Sequence, residues 1–117
     1  MDTIKINRLS DFQIKIKQII SESDNIRISP STEHLAIHFI CGGKKFVAIN
    51  NPNGENHYCH IDNDDNLIID IPSRSFRPGQ LSYFIEIREN NKYFDDGVKN
   101  TLGIEYISTN IEIINPL

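Results

Sequence analysis

A two-residue beat of apolar and polar side chains constrains this chain more than any other feature. It is clearest where Leu81, Tyr83, Ile85 and Ile87 share one parity and Ser82, Phe84 and Glu86 the other. A period of two sends successive side chains to opposite faces of an extended strand, whereas a helix repeats near 3.6. In the segment 3–7, Ile4 and Ile6 oppose Lys5 in the same way. Phe12, Ile14 and Ile16 alternate with Gln13, Lys15 and Lys17. Ser10 or Asp11 could cap a helix over 11–22, but strict alternation from Phe12 to Lys17 favours a strand with one wet face. Leu35, Ile37, Phe39 and Cys41 share one face of a further strand, and Ala36, His38 and Ile40 the other. Both faces are largely apolar, which points to a central strand.

Turn chemistry divides these stretches. Gly42-Gly43-Lys44 is a tight-turn sequence, because glycine reaches positive φ without steric cost, and 46–50 then returns as the hairpin partner. Ser21 to Asn25 reads as a turn, and Ile26 and Ile28 as a brief strand ended by Pro30. Residues 50–54 form a loop, 57–62 a strand, 62–66 a turn, and 67–71 the returning strand before Pro72. Residues 89–103 read as irregular, anchored by Tyr93 and Phe94. The segment 104–114 closes the chain, with a bulge expected near Ser108 to Asn110. Seven to nine strands at regular spacing predict an all-β fold, an antiparallel β-sandwich of immunoglobulin-like kind, as a single domain over 1–117. The immunoglobulin hallmark of a tryptophan packed on a disulfide cannot occur, since the chain has no Trp.

Composition narrows the function classes. A chain of 117 residues folds as one domain and buries roughly two-thirds of its unfolded surface, without needing disulfides or structural metal. Sixteen acidic residues against twelve basic ones give a formal charge of −4. Nucleic-acid binding needs a basic patch, and Lys15 with Lys17, Lys44-Lys45, and Arg74 with Arg77 are each short. No apolar run approaches the ~20 residues of a membrane span. The start Met1-Asp2-Thr3-Ile4-Lys5 is no secretory signal, so the expectation is a product kept in the cytoplasm of its producing cell or packaged from there. Cys41 and Cys59 sit within strand patterns and read as reduced, partly buried thiols, with a cross-strand disulfide as the alternative.

Catalytic vocabulary is sparse. A zinc site from His34, His38, Cys41, His57, Cys59 and His60 is opposed by strand geometry. His34 and His38 would lie about 13 Å apart, and Cys59 and His60 point to opposite faces. A cross-strand pairing of His38 or Cys41 with His57 or Cys59 is the remaining metal arrangement. Asp62, Asp64 and Asn66 match the first ligands of a calcium loop, but the glycine expected at its sixth position is Leu67 and the closing glutamate is Ser73. No nucleophile elbow or phosphate-binding glycine loop is present, and Asp95-Asp96 fits a turn. The reading is therefore non-enzymatic, with no catalytic, cofactor-binding or metal residues and no cofactor. Carbohydrate binding is the alternative for such a fold, and its candidate platform is Tyr58, Tyr93 and Phe94.

Five segments in order carry a family resemblance: Phe12-Gln13-Ile14-Lys15-Ile16, Asn66-Leu67-Ile68-Ile69-Asp70-Ile71, Arg77-Pro78-Gly79-Gln80-Leu81, Tyr93-Phe94-Asp95-Asp96-Gly97-Val98 and Gly103-Ile104-Glu105-Tyr106-Ile107. With them the chain resembles small structural domains of Bacteroidetes phages and prophages, β-sandwiches similar to the N-terminal domains of upper-baseplate and tail-fibre proteins. The resemblance implies a virion- or tail-associated adaptor that docks onto other phage structural proteins or onto itself as a homo-oligomer. The family has no catalytic residues to carry over, and charge and hydropathy give the expectation of no nucleic-acid and no membrane partner. No receptor-binding or shaft segment follows Leu117, so docking or decoration is expected rather than host recognition. The expected contact is an edge strand open to pairing, with Thr3, Ile4, Lys5, Ile6 and Asn7 as partner-binding residues. Lys5, Lys15 and Lys17 fit equally as gatekeepers against aggregation.

Overall fold

The computed structural model describes residues 2–17, 19, 27–90, 92–95, 98–101 and 106–116. Among these residues it contains nine strands and no helix: β1 (Ile4–Asn7), β2 (Phe12–Ile16), β3 (His34–Cys41), β4 (Lys44–Asn50), β5 (Cys59–Ile61), β6 (Leu67–Ile71), β7 (Gly79–Asn90), β8 (Val98–Thr101) and β9 (Ile107–Ile114). The strand at Phe12–Ile16 settles the helix alternative for that stretch. The turn expected at Ser21 to Asn25 lies outside the described residues, as do Ile26, Ile104 and Glu105.

The strands form two sheets. One runs β1-β9-β7-β3-β4, with β8 also on β7, and the other runs β2-β6-β5. Every pairing is antiparallel except that of β1 with β9, which is parallel with Ile4 opposite Ile111 and Asn7 opposite Ile114. A wholly antiparallel fold is thus corrected at one edge. The first strand reaches the last strand's flank with no hairpin to set its direction.

The period-two pattern lands where it should. Leu35, Ile37 and Phe39 of β3, Ala48 of β4, Leu81 of β7 and Ile113 of β9 share one core with Leu67, Ile69 and Ile71 of β6 and Cys59 of β5. Ile6, Phe12, Ile14 and Ile16 pack against it. Leu35, Ile37, Leu67, Ile69 and Leu81 have no exposed surface, each worth roughly 1.5–3 kcal/mol of burial. β3 lies between β4 and β7, the central place its two apolar faces implied.

Local chemistry explains the joints. Gly42 and Gly43 join β3 to β4 as a two-residue turn with φ of 61° and 79°, matching the twist of the flanking strands. Between β7 and β9 the register shifts as Gln80–Glu112 gives way to Ser82–Ser108, the irregularity expected near Ser108 to Asn110. Thr109 fills it: its hydroxyl donates to Leu81 O at 2.8 Å and accepts from Ile111 N at 3.0 Å, while Gln80 Nε2 donates to Thr109 O.

Two expectations need correction. The strand over 57–62 shrinks to Cys59–Ile61, because Tyr58 adopts φ 59° and breaks the extended run. His57 keeps only an isolated pairing with Ile49. The irregular stretch 89–103 contains the end of β7 and all of β8, paired Asn90 to Val98 through Ile87 to Thr101. Of the brief strand expected at Ile26 and Ile28, Ile26 lies outside the described residues, and Ile28 N donates to Ile19 O at 2.7 Å.

Candidate functional site

β1 is an edge strand. Backbone groups along a strand alternate sides. Arg8 N donates to Ile114 O at 2.9 Å, so Ile6 and Ile4 turn their N–H and C=O toward β9, and Lys5 and Asn7 turn theirs away. Asn7 O accepts from Ser10 N, and Asn7 Oδ1 from Leu9 N, which closes the strand's end. Among the described residues, the Lys5 backbone and the Asn7 N–H then form the unpaired margin of the sheet. Thr3, Ile4 and Lys5 are exposed, Ile4 by 51 %, whereas Ile6 packs on the core. The Ile6 side chain packs the strand against the core from below, and the strand's own turn closes its end.

Where the chain leaves β1 it crosses to the other sheet. Arg74 N donates to Arg8 O at 2.8 Å, and Ser73 N to Asp11 Oδ1 at 2.7 Å, tying the β1–β2 connection to the β6–β7 connection. Beside this crossing an open cleft of about 550 Å³ lies where β2 begins and β6 ends. Phe12, Ile71 and Pro72 give it an apolar wall, and Asp11, Gln13 and Asp70 a polar one. Gln13 Nε2 donates to Asp70 Oδ1 at 2.7 Å, and His60 Nδ1 lies 2.7 Å from Asp70 Oδ2. The Tyr58 ring completes the cleft, 53 % exposed and 5.0 Å from the Phe46 ring. The network spans 57 residues of sequence between Gln13 and Asp70, and only the outward parity of each hinted at it.

The three aromatic residues Tyr58, Tyr93 and Phe94 do not make one platform. Tyr58 packs at the level of Phe46, which pairs with Phe39 and, through it, Tyr83. Tyr93 and Phe94 lie beyond Asn90 at the far end of β7, seven residues or roughly 23 Å along the strand from Tyr83. Tyr93 is 83 % exposed, with the Lys92 ammonium 5.2 Å over its ring, and Phe94 is 49 % exposed.

The outward face of the larger sheet carries a charged cluster. Glu86, 6 % exposed, receives Arg88 Nε at 3.0 Å and faces His38 Nε2 at 2.8 Å. Burial alone would raise its pKa, but the hydrogen bonds and charges of Arg88 and His38 prevail and hold it low. His38 stacks on Phe84 at 4.4 Å, and Phe84 meets Tyr106 edge-on at 4.9 Å. His34 pairs in register with Arg88. Burial, then the Arg88 charge, lowers its pKa, and its Nε2 is buried without a hydrogen-bond partner.

The remaining sequence candidates resolve into structure. Asp65, at φ 60°, accepts from Ser29 Oγ at 2.6 Å, from Ser31 Oγ and from Arg27 at 3.2 Å. The serine hydroxyls first, then Arg27, pull its pKa to about 2. Asp62 Oδ1 accepts from Asp64 N and Asn66 N, both at 2.9 Å, so the calcium-like run is a self-bonded turn. His38 turns outward to Glu86 while Cys41 and Cys59 lie in the core, and no three His, Cys, Asp or Glu among the described residues gather around a common point. Both thiols are free and buried; desolvation raises the pKa of each, that of Cys59 to about 11. No helix among the described residues is long and apolar enough to cross a membrane. Comparison with known proteins finds no matching family model, curated protein or solved structure.

Proposed function

We propose that this chain is a structural docking domain of phage-adaptor type, acting by adding a partner's strand to β1 rather than by catalysis. The open Lys5 margin of a sheet otherwise anchored in the core is the observation that carries the reading. An added strand gains main-chain hydrogen bonds there, and the exposed Ile4 offers it an apolar contact. The partner class, other tail or baseplate proteins or a second copy of this chain in a virion, comes from the resemblance of the five ordered segments. Three of them coincide with β2, β6 and the entry to β7.

Strand order supports an immunoglobulin-like sandwich of the variable kind. The path β9-β7-β3-β4 follows the G-F-C-C′ order of that fold, and β2-β6-β5 follows B-E-D. β1 takes the place of a first strand transferred to the G edge, and β8 is an added arm on F.

Lys5→Pro tests the reading. Proline at a strand edge removes an outward N–H and leaves the bonds to β9 in place. Light scattering over micromolar concentrations, alone and with the products of adjacent genes, is expected to give assemblies for the wild type that Lys5→Pro loses. A wild type that stays monomeric and ignores those products would overturn the proposal.

A further inference from the structure

We propose that the cleft at the start of β2 receives an arginine side chain from the docked protein partner. The cleft presents the Asp11 and Asp70 carboxylates and, among its described lining residues, no lysine or arginine. His60 Nδ1 lies 2.7 Å from Asp70 Oδ2 at the rim, so Asp11 is the carboxylate with an oxygen left open, while Lys15 lies 3.4 Å from Asp62 and Arg8 Nε donates to Asn115 Oδ1 at 2.9 Å. The hydrogen bonds within the wall fix what it offers outward. Gln13 spends an amide N–H on Asp70, and its carbonyl oxygen is a further acceptor on a side chain that lines the cleft. Asp11 uses Oδ1 on Ser73 N, leaving Oδ2. The wall is therefore rich in acceptors and negative, and it asks for a ligand that only donates.

A guanidinium meets that demand. It carries five N–H donors in a planar fork suited to carboxylates, and its flat face stacks on aromatic rings. Tyr58 supplies such a ring, and Pro72 an apolar surface for the methylene stem. Position agrees with docking on β1, since Asn7 and Asp11 are four residues apart, at most about 14 Å of chain. A strand laid on the β1 margin can thus bring a side chain to the cleft.

This inference rests on the docking reading but fails separately, because Lys5→Pro alters the edge and leaves the cleft intact. The test is a nitrogen-15 NMR titration of the full chain with the peptide acetyl-Gly-Arg-Gly-amide, its citrulline counterpart, and maltotetraose. The arginine peptide is expected to shift the Gln13 side-chain amide and the Tyr58 and Asp70 amides saturably. The neutral citrulline peptide should bind about tenfold more weakly, as loss of a charge-assisted pair requires. Asp70→Asn and Tyr58→Gly should each weaken the arginine peptide several-fold; glycine suits the φ of 59°, so the latter variant keeps its backbone. Equal binding of the arginine and citrulline peptides, absence of saturable shifts at these residues, or occupation of the cleft by the oligosaccharide alone would overturn the assignment.

Discussion

At the residue scale, single polar side chains fix loops that the core does not reach. Asp65 ties the β5–β6 turn to Ser29, Ser31 and Arg27. Its pKa is lower folded than unfolded, so its contribution is complete above about pH 4 and fades as pH falls toward 2. Asp65→Asn should lower the neutral-pH urea midpoint and flatten the acid limb of stability between pH 4 and 2; circular-dichroism melts across that range measure it. An unchanged acid limb would show that Asp65 does not hold the turn. Glu86→Ala leaves Arg88 and His38 facing each other without the carboxylate, and a loss of about 1–3 kcal/mol is expected by chemical denaturation. Neither pin was legible in the sequence. Arg27 and Asp65, and His38 and Glu86, are far apart along the chain, and charge pairing across such spans leaves no local pattern.

At the scale of elements, the sequence was legible wherever a strand has one face in the core. β2, β3, β6 and most of β7 follow the two-residue beat because burial enforces it. The arm formed by the end of β7 with β8 was missed, since Val98-Lys99-Asn100-Thr101 holds one apolar residue and its pairing is with β7 alone. β5 came out short for a different reason: a left-handed tyrosine, which alternation cannot reveal, interrupts it. Gly42-Gly43 was readable from turn chemistry, and its two positions make unequal demands. A Cβ on Gly42 would lie 2.6 Å from Arg77 Cβ and 2.8 Å from Pro78 O, whereas one on Gly43 meets nothing within 4 Å. Positive φ alone costs a non-glycine residue roughly 1–2 kcal/mol. Gly43→Ala should therefore lose about that much, and Gly42→Ala clearly more, in urea unfolding. Equal losses would mean that the β6–β7 connection does not press on the hairpin.

At the scale of the molecule, two sheets share a core, and the chain's two ends meet as the parallel pair β1–β9. Nothing local in the sequence encodes that pairing, whose partners stand 107 positions apart, although the edge character of residues 3–7 was readable from their brevity and their lysine. The proposed docking function is a property of that margin: a strand secured on one side and, among the described residues, open on the other. Residue-resolved amide hydrogen exchange tests this most directly. In dilute protein the Ile6 amide should be protected and the Lys5 amide should exchange freely, and assembly should protect Lys5 while Ile6 changes little. A Lys5 amide already protected in the dilute monomer, or one left unprotected in the assembly, would contradict it.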